Sequence, residues 1–246
     1  MLVQSMPYPV VQGSGGDPNF ASVVLLTDYG DTNGGTSFTD LSNSNHVLTP
    51  SNGPTASTSV MLGGRPSLAL NGSNQRISIP DSEDWFMGTA AFTMECFFQT
   101  NSTAKQTLFS QYIGNPAFRH NLNDSNAFKS FFNTEGGSGS TPQGGTLPVS
   151  QSPHHFAVVR EKLGFSATQD AIRLYFDGAL LNTAAIPTEG STGTIRNSTG
   201  ALFLGYGDQF NPLWFNGNLG PVRITKGVCR YPGGTNFTPP TGFATS

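Results

Sequence analysis

The stretch "AFTMECFFQT" (residues 91–100) decides the fold. Successive side chains of a strand point to opposite faces, so Phe92, Met94, Cys96 and Phe98 share one face, and Thr93, Glu95, Phe97 and Gln99 share the other. An uninterrupted apolar face of period two belongs to a strand laid on a core; a helix would repeat its apolar positions every three to four residues. The same reading extends outward. "QTLFSQY" and "NAFKSFFN" follow. "SLAL" and "RISI" precede it, joined by a tight turn in "NGSNQ", where Asn71 and Gly72 tolerate positive φ. Beyond the loop tip "GGSGSTPQGGT" come "HHFAVVRE" and "AIRLYFDGALLNTAAI". In the latter, Asp177 and Gly178 suit a type I′ turn between residues 172–176 and 179–183. "FASVVLLTDYG" supplies a first strand, and "GALFLGYG" and "NGNLGPVRITKG" the last.

Strands separated by turn residues therefore fill the chain, with one short helical candidate at residues 82–87. The pattern predicts an all-β fold, an antiparallel two-sheet jelly-roll sandwich over residues 20–246. No fixed-period repeat points to a propeller or solenoid. Residues 1–19, with prolines and a "GSGG" hinge, read as an extended arm.

Composition narrows the function. Charged residues are 11% of the 246, against roughly 25% in an ordinary soluble domain. Gly, Ser, Thr, Asn and Pro fill the difference, while 19 Phe supply a core. Net charge is −3 and the 12 Lys and Arg are scattered singly, which gives no footprint for nucleic acid. No apolar run approaches the ~18–20 residues of a membrane span. The opening lacks a basic segment followed by a long apolar one, so no secretory signal is expected, and synthesis in a reducing cytosol is. Cys96 and Cys229 form no metal pattern and read as small buried apolar residues. The sequons at Asn71, Asn101, Asn197 and Asn236 read as accidents of an Asn/Ser/Thr-rich surface.

Five phrases resemble one family in the right order. "SLALNGSNQRISIPDSEDW", "FTMECFF", "HHFAVVR", "IRLYFDGALLN" and "FNGNLGPVRITKGVCRYPGGTNFTPPTGF" resemble the laminin-G-like, concanavalin A-like jelly roll, and the ending resembles the version found in tailed-phage structural proteins. That resemblance implies a non-enzymatic virion surface protein, a head decoration or a tail or fibre component made in the host cytoplasm. Its partners would be further copies of itself and other virion proteins, reached through the arm. The alternative it implies is a lectin-like carbohydrate-binding module recognising host surface glycans. In the ending, Val222 and Ile224 should face inward and Arg223 outward, Tyr231 and Phe237 should pin a covering segment, and Pro239 and Pro240 should stop strand pairing and blunt the sheet edge.

The chemistry that such folds can carry is mostly missing. The glucanase members have Glu-x-Asp-x-x-Glu on one strand, and no such motif occurs; "DSEDW" (residues 81–85) has the wrong spacing and reads as a solvated loop. No Gly-x-Ser-x-Gly occurs. His154 and His155 are adjacent in a strand and so point to opposite faces; one should pack against a loop and the other should face solvent. The resemblance also implies a calcium site, but Asn71, Gln75, Gly220 and Pro221 stand where family acids would be. The remaining candidate set is Asn71 and Asn74 with backbone carbonyls, and no cofactor is expected. A metal-free sugar site needs a ring with amides and hydroxyls beside it. "GYGDQFNPLWFNG" (residues 205–217) offers Tyr206, Phe210 and Trp214 with Asp208, Gln209 and Asn211. Trp214 and Phe215 read either as the start of the next strand, one of them buried, or as part of that binding loop.

Overall fold

A computed structural model describes residues 16–112, 116–125, 127–137, 139–145, 151–207 and 212–246. Most of the arm (residues 1–15) and Asp208, Gln209, Phe210 and Asn211 of the aromatic loop lie outside the described residues. The strands, in chain order, are β1 (Val23–Asp28), β2 (Thr39–Asp40), β3 (Thr49–Ser51), β4 (Thr55–Leu62), β5 (Arg65–Asn71), β6 (Arg76–Ile79), β7 (Phe92–Thr100), β8 (Gln106–Gln111), β9 (Phe118–Leu122), β10 (Phe128–Phe132), β11 (Gln143–Gly144), β12 (His154–Ser166), β13 (Gln169–Phe176), β14 (Ala179–Pro187), β15 (Leu202–Leu204) and β16 (Asn216–Lys226). They build a nine-stranded sheet with the path β14-β13-β12-β7-β16-β1-β2, on which β5 pairs with β16 and β4 with β5. A seven-stranded sheet runs β11-β10-β9-β8-β15-β6-β3. The chain is thus the two-sheet antiparallel jelly roll that its alternation predicts.

Between the sheets, Phe92, Met94, Cys96 and Phe98 of β7 meet Phe109, Phe118, Phe128 and Phe132 of the facing sheet. Phe98 alone lies within 6.5 Å of the rings of Phe128, Phe176 and Phe215. His120 is enclosed in this core against Phe109 and Phe118, and burial pushes its pKa down to about 3.

Two expectations about local structure come out differently. The turn at Asn71 and Gly72 joins strands that do not pair: β5 lies in one sheet and β6 in the other, so the chain crosses the core there. A crossing and a hairpin share the same alternation, since Leu68, Leu70, Ile77 and Ile79 reach the core from either side. The helical candidate is one 3₁₀ turn, Glu83–Trp85, capped by the Ser82 side chain and pinned by fully buried Trp85. The hydrophobic pull of a single Trp, not a helical face, makes the turn. The acids of that run stay at the surface, where Asp84 pairs with His46 at 2.9 Å. The β13–β14 hairpin is as expected: Asp177 has φ 48° and Gly178 φ 76°, the two positive values of a type I′ turn.

The ending is a strap laid over the outer face of the nine-stranded sheet. Tyr231 and Phe237 stack at 3.7 Å and 2° and pack on Ala157, Val159 and Tyr175. Phe243 packs on Phe97 at 4.9 Å. The Phe237 amide donates to the Gly178 carbonyl and Asn236 Oδ1 accepts from the Leu180 amide of β14, the end strand of the sheet, so the segment leading to Pro239 and Pro240 crosses the sheet face and also takes up an edge amide there. Val222 and Ile224 face the core, and Arg223 faces the other way but is buried under the strap. There it donates to Glu95 Oε1 from Nε at 2.9 Å and Nη2 at 2.8 Å. Tyr231 donates to Glu95 Oε2 at 2.7 Å, and His155 Nε2 lies 3.1 Å from the same oxygen. Burial alone would raise the Glu95 pKa, but Arg223 and the hydrogen bonds from His155 and Tyr231 outweigh it and hold it at about 2. His154 is also buried, 2.8 Å from Asp177 Oδ2. Neither histidine faces solvent, because strap and hairpin turn cover both. Asp17 closes the strap: it binds Arg230 at 2.7 and 3.0 Å, and its amide donates to the Ser246 carbonyl at 2.6 Å.

Candidate functional site

The outer face of the seven-stranded sheet has a different character. Ile77, Ile79, Leu202, Leu204, Phe118 and Phe132 turn inward, so alternation sends their neighbours outward. Strand register aligns those neighbours in one row, Thr49–Ser78–Phe203–Ser110–Arg119–Phe131, running across β3, β6, β15, β8, β9 and β10. Arg76, two residues before Ser78, therefore also faces outward. Its guanidinium carbon sits 4.8 Å from the ring centroids of Phe203 and Tyr206 and 5.9 Å from that of Trp214. Tyr206 and Trp214 pack at 4.4 Å, and the Ser110 hydroxyl donates to the Tyr206 carbonyl at 2.8 Å, which fixes the ring pair to the sheet. Further along the row, Arg119 lies over Tyr112 at 4.2 Å and Phe131 at 4.8 Å.

Phe203 and Tyr206 are buried as the bed of this nest, whereas Trp214 and Arg76 are half-exposed at its top. A half-exposed indole beside a guanidinium and hydroxyl-bearing strand positions suits a ligand with both C–H faces and hydroxyl groups. The rings stack on the former and the donors take the latter.

Of the sequence-predicted residues, Tyr206 and Trp214 are brought together. Trp214 and Phe215 divide: Phe215 is in the core and Trp214 is at the surface. Arg76, Phe203, Arg119, Tyr112 and Phe131 had not been singled out. The signal available was the outward position in "RISI" and "LFL", held by Arg and Phe where a solvated face would carry small polar groups.

The calcium candidates are occupied otherwise. Asn71 Oδ1 accepts from the amides of Ser73 at 3.0 Å and Asn74 at 3.2 Å, and Asn71 Nδ2 donates to Asn74 Oδ1 at 2.9 Å. The Asn74 carbonyl accepts from Asn52 Nδ2 at 2.8 Å. These oxygens build the crossing turn, and a cation would have to displace those bonds. Among the described residues no three His, Cys, Asp or Glu side chains gather as a metal group. A separate hollow of about 510 Å³ is lined by Asp28, Asp31, Thr32 and Ser37 among others, and Asp28 there is paired with Arg65 at 3.0 Å.

Two stacked antiparallel sheets, one sealed outside and one carrying an outward row of rings and arginines, define a lectin-like jelly-roll domain. The chain belongs to the laminin-G family described as the concanavalin A-like lectin/glucanases superfamily, whose model matches residues 71–229. No curated protein sequence matches it. Among solved structures it is similar to the botulinum neurotoxin serotype C1 binding domain, at TM-score 0.63 and 13% identity, over 86% of this chain and 50% of that one. It is likewise similar to the binding domain of Paraclostridial Mosquitocidal Protein 1, at 0.61 and 13%, over 85% and 50%. A third is a structure on the cell entry of botulinum neurotoxin type C, dependent upon interaction with two ganglioside molecules, at 0.62 and 12%, over 85% and 49%. This chain thus spans about half of each, and at such identities the likeness is one of fold.

Proposed function

We propose that this domain is a non-catalytic carbohydrate-binding module that holds a saccharide on the outer face of the seven-stranded sheet. The observation that carries this reading is the half-exposed Trp214, packed at a tilt on Tyr206 and set beside a row that also presents Ser78, Thr49 and Arg76. Screening the full chain on a glycan array and then titrating the best ligand tests it. Trp214→Ala should weaken binding about tenfold, the equivalent of a stacked ring worth roughly 1.4 kcal/mol. An array with no retained saccharide at millimolar ligand, or an unchanged Trp214→Ala variant, refutes it. Virion assembly through the arm, the other role implied by resemblance, rests mostly on residues outside the described ones; its test is whether a chain lacking residues 1–16 still docks on particles.

A further inference from the structure

Arg76 differs from the five arginines that hold a carboxylate, and like Arg119 it lies among rings. Arg65 pairs with Asp28, Arg160 with Asp170, Arg173 with Glu161, Arg223 with Glu95 and Arg230 with Asp17. The chain carries 15 acids to 12 bases, so acids are not scarce. Yet no carboxylate among the described residues pairs with Arg76, and its Nε is buried without a hydrogen-bond partner. Nη1 and Nη2 are absent from the buried unpaired atoms and bond to no acceptor among the described residues, so the forked end is directed outward. Three rings pack against the guanidinium, their centroids 4.8, 4.8 and 5.9 Å from its carbon.

That arrangement does two things to a cation. The ring faces stabilise its charge without consuming its donors, and they fix its orientation before any ligand arrives. What stays open is a planar two-donor fork, whose matching acceptor is a carboxylate taken end-on by two parallel charge-assisted bonds. A neutral hydroxyl meets one of these donors at most, without the charge. Trp214, on the same nest, lies where the adjoining pyranose ring would stack.

We infer that the saccharide taken by this face is an acidic one, carrying a carboxylate that binds the Arg76 fork while its ring or a neighbouring ring lies on Trp214. This rests on the saccharide reading above and gives it a substrate class. The carboxylate can belong to a uronic acid or to a sialic acid, and the test separates the two.

The experiment titrates the full chain with two matched pairs: trigalacturonic acid and its methyl ester, and sialyllactose and lactose. The acid of one pair should bind about tenfold more tightly than its neutral partner at low salt, and the preference should shrink as salt rises. The pair in which this occurs identifies the acid. Arg76→Gln should bind acid and neutral forms alike. Because Arg76→Gln also disturbs the ring nest, a second variant leaves the nest intact. Ser51 lies opposite Arg76 in the β3–β6 register, so Ser51→Glu supplies an internal carboxylate and should abolish the preference by occupying the fork. Equal binding of acid and neutral forms by the wild-type chain, in a manner that Trp214→Ala still weakens, overturns the inference and leaves the saccharide reading standing. An acid preference that survives both Arg76→Gln and Ser51→Glu overturns it too. No binding of any of the four, together with a blank array, removes both.

Discussion

Replacing Glu95 by Gln should cost this protein about 3 kcal/mol at pH 7, and the cost should disappear in acid. Glu95 is wholly buried between β7 and the strap, where its carboxylate takes two bonds from Arg223, one from Tyr231 and one from the His155 contact. Holding a carboxyl at about 2 where it would otherwise titrate at 4.5 is a preference for the charged form of roughly 3 kcal/mol. Gln keeps the shape but leaves Arg223 buried beside a neutral group; removing one partner of a buried pair costs about 3–5 kcal/mol. Asp17, 3.4 Å from Arg223 Nη1, moderates the loss and favours the lower figure. The sign follows from the depressed pKa. The stabilisation is fully present above pH 4.5, and it is lost as pH falls toward 2, because the unfolded chain takes up the proton first. Urea unfolding of both proteins at pH 7, 4 and 2.5 reads the difference directly, and other acids cancel in the comparison. A gap below 1 kcal/mol at pH 7, or one that does not narrow in acid, would show that the carboxylate is not held as described.

Gly178→Ala should lower the melting temperature by several degrees: φ is 76° and a Cβ would strike the Phe237 carbonyl, so a loss of about 1–2 kcal/mol moves Tm by roughly 2–4 °C per kcal/mol in a chain of this size. A thermal scan that finds the variant unchanged would mean that the strap is not seated on the hairpin turn. His120 gives an acid dependence of its own. With its pKa pushed down to about 3, the folded chain resists a proton that the unfolded chain accepts, so stability falls as pH drops from 6.5 toward 3. His120→Phe should flatten that part of the profile, and an identical slope in denaturation from pH 7 to 4 would contradict it.

How much of this was legible beforehand depended on the distance over which each feature is built. The faces of β7, the Asp177 turn and the inward side of β16 are set within a few residues, and alternation alone places them. Glu95 was placed on the outer face of its strand, where an acid reads as solvated. Its burial depends on Arg223, 128 residues later, and on a strap whose path no local pattern states. Arg76 was one scattered charge among twelve, and its bed comes from Phe203, Tyr206 and Trp214, which only strand order brings beside it. The Asn71 turn shows the limit of periodicity itself, which fixes which side chains meet the core but not from which sheet they come.

The meeting of Asp17 with Ser246 has a mechanical consequence. Next to that contact, β1 and β16 run antiparallel as neighbours, with Val23 opposite Thr225. Tension applied between residues 17 and 246 would open the molecule like a zipper from one corner, breaking its fastenings in sequence instead of shearing many at once. The strap would lift first and β1 would peel from β16 next. The opposite sheet, with Arg76 and Trp214, would carry load last, so a ligand gripped there would stay held while the far side yields.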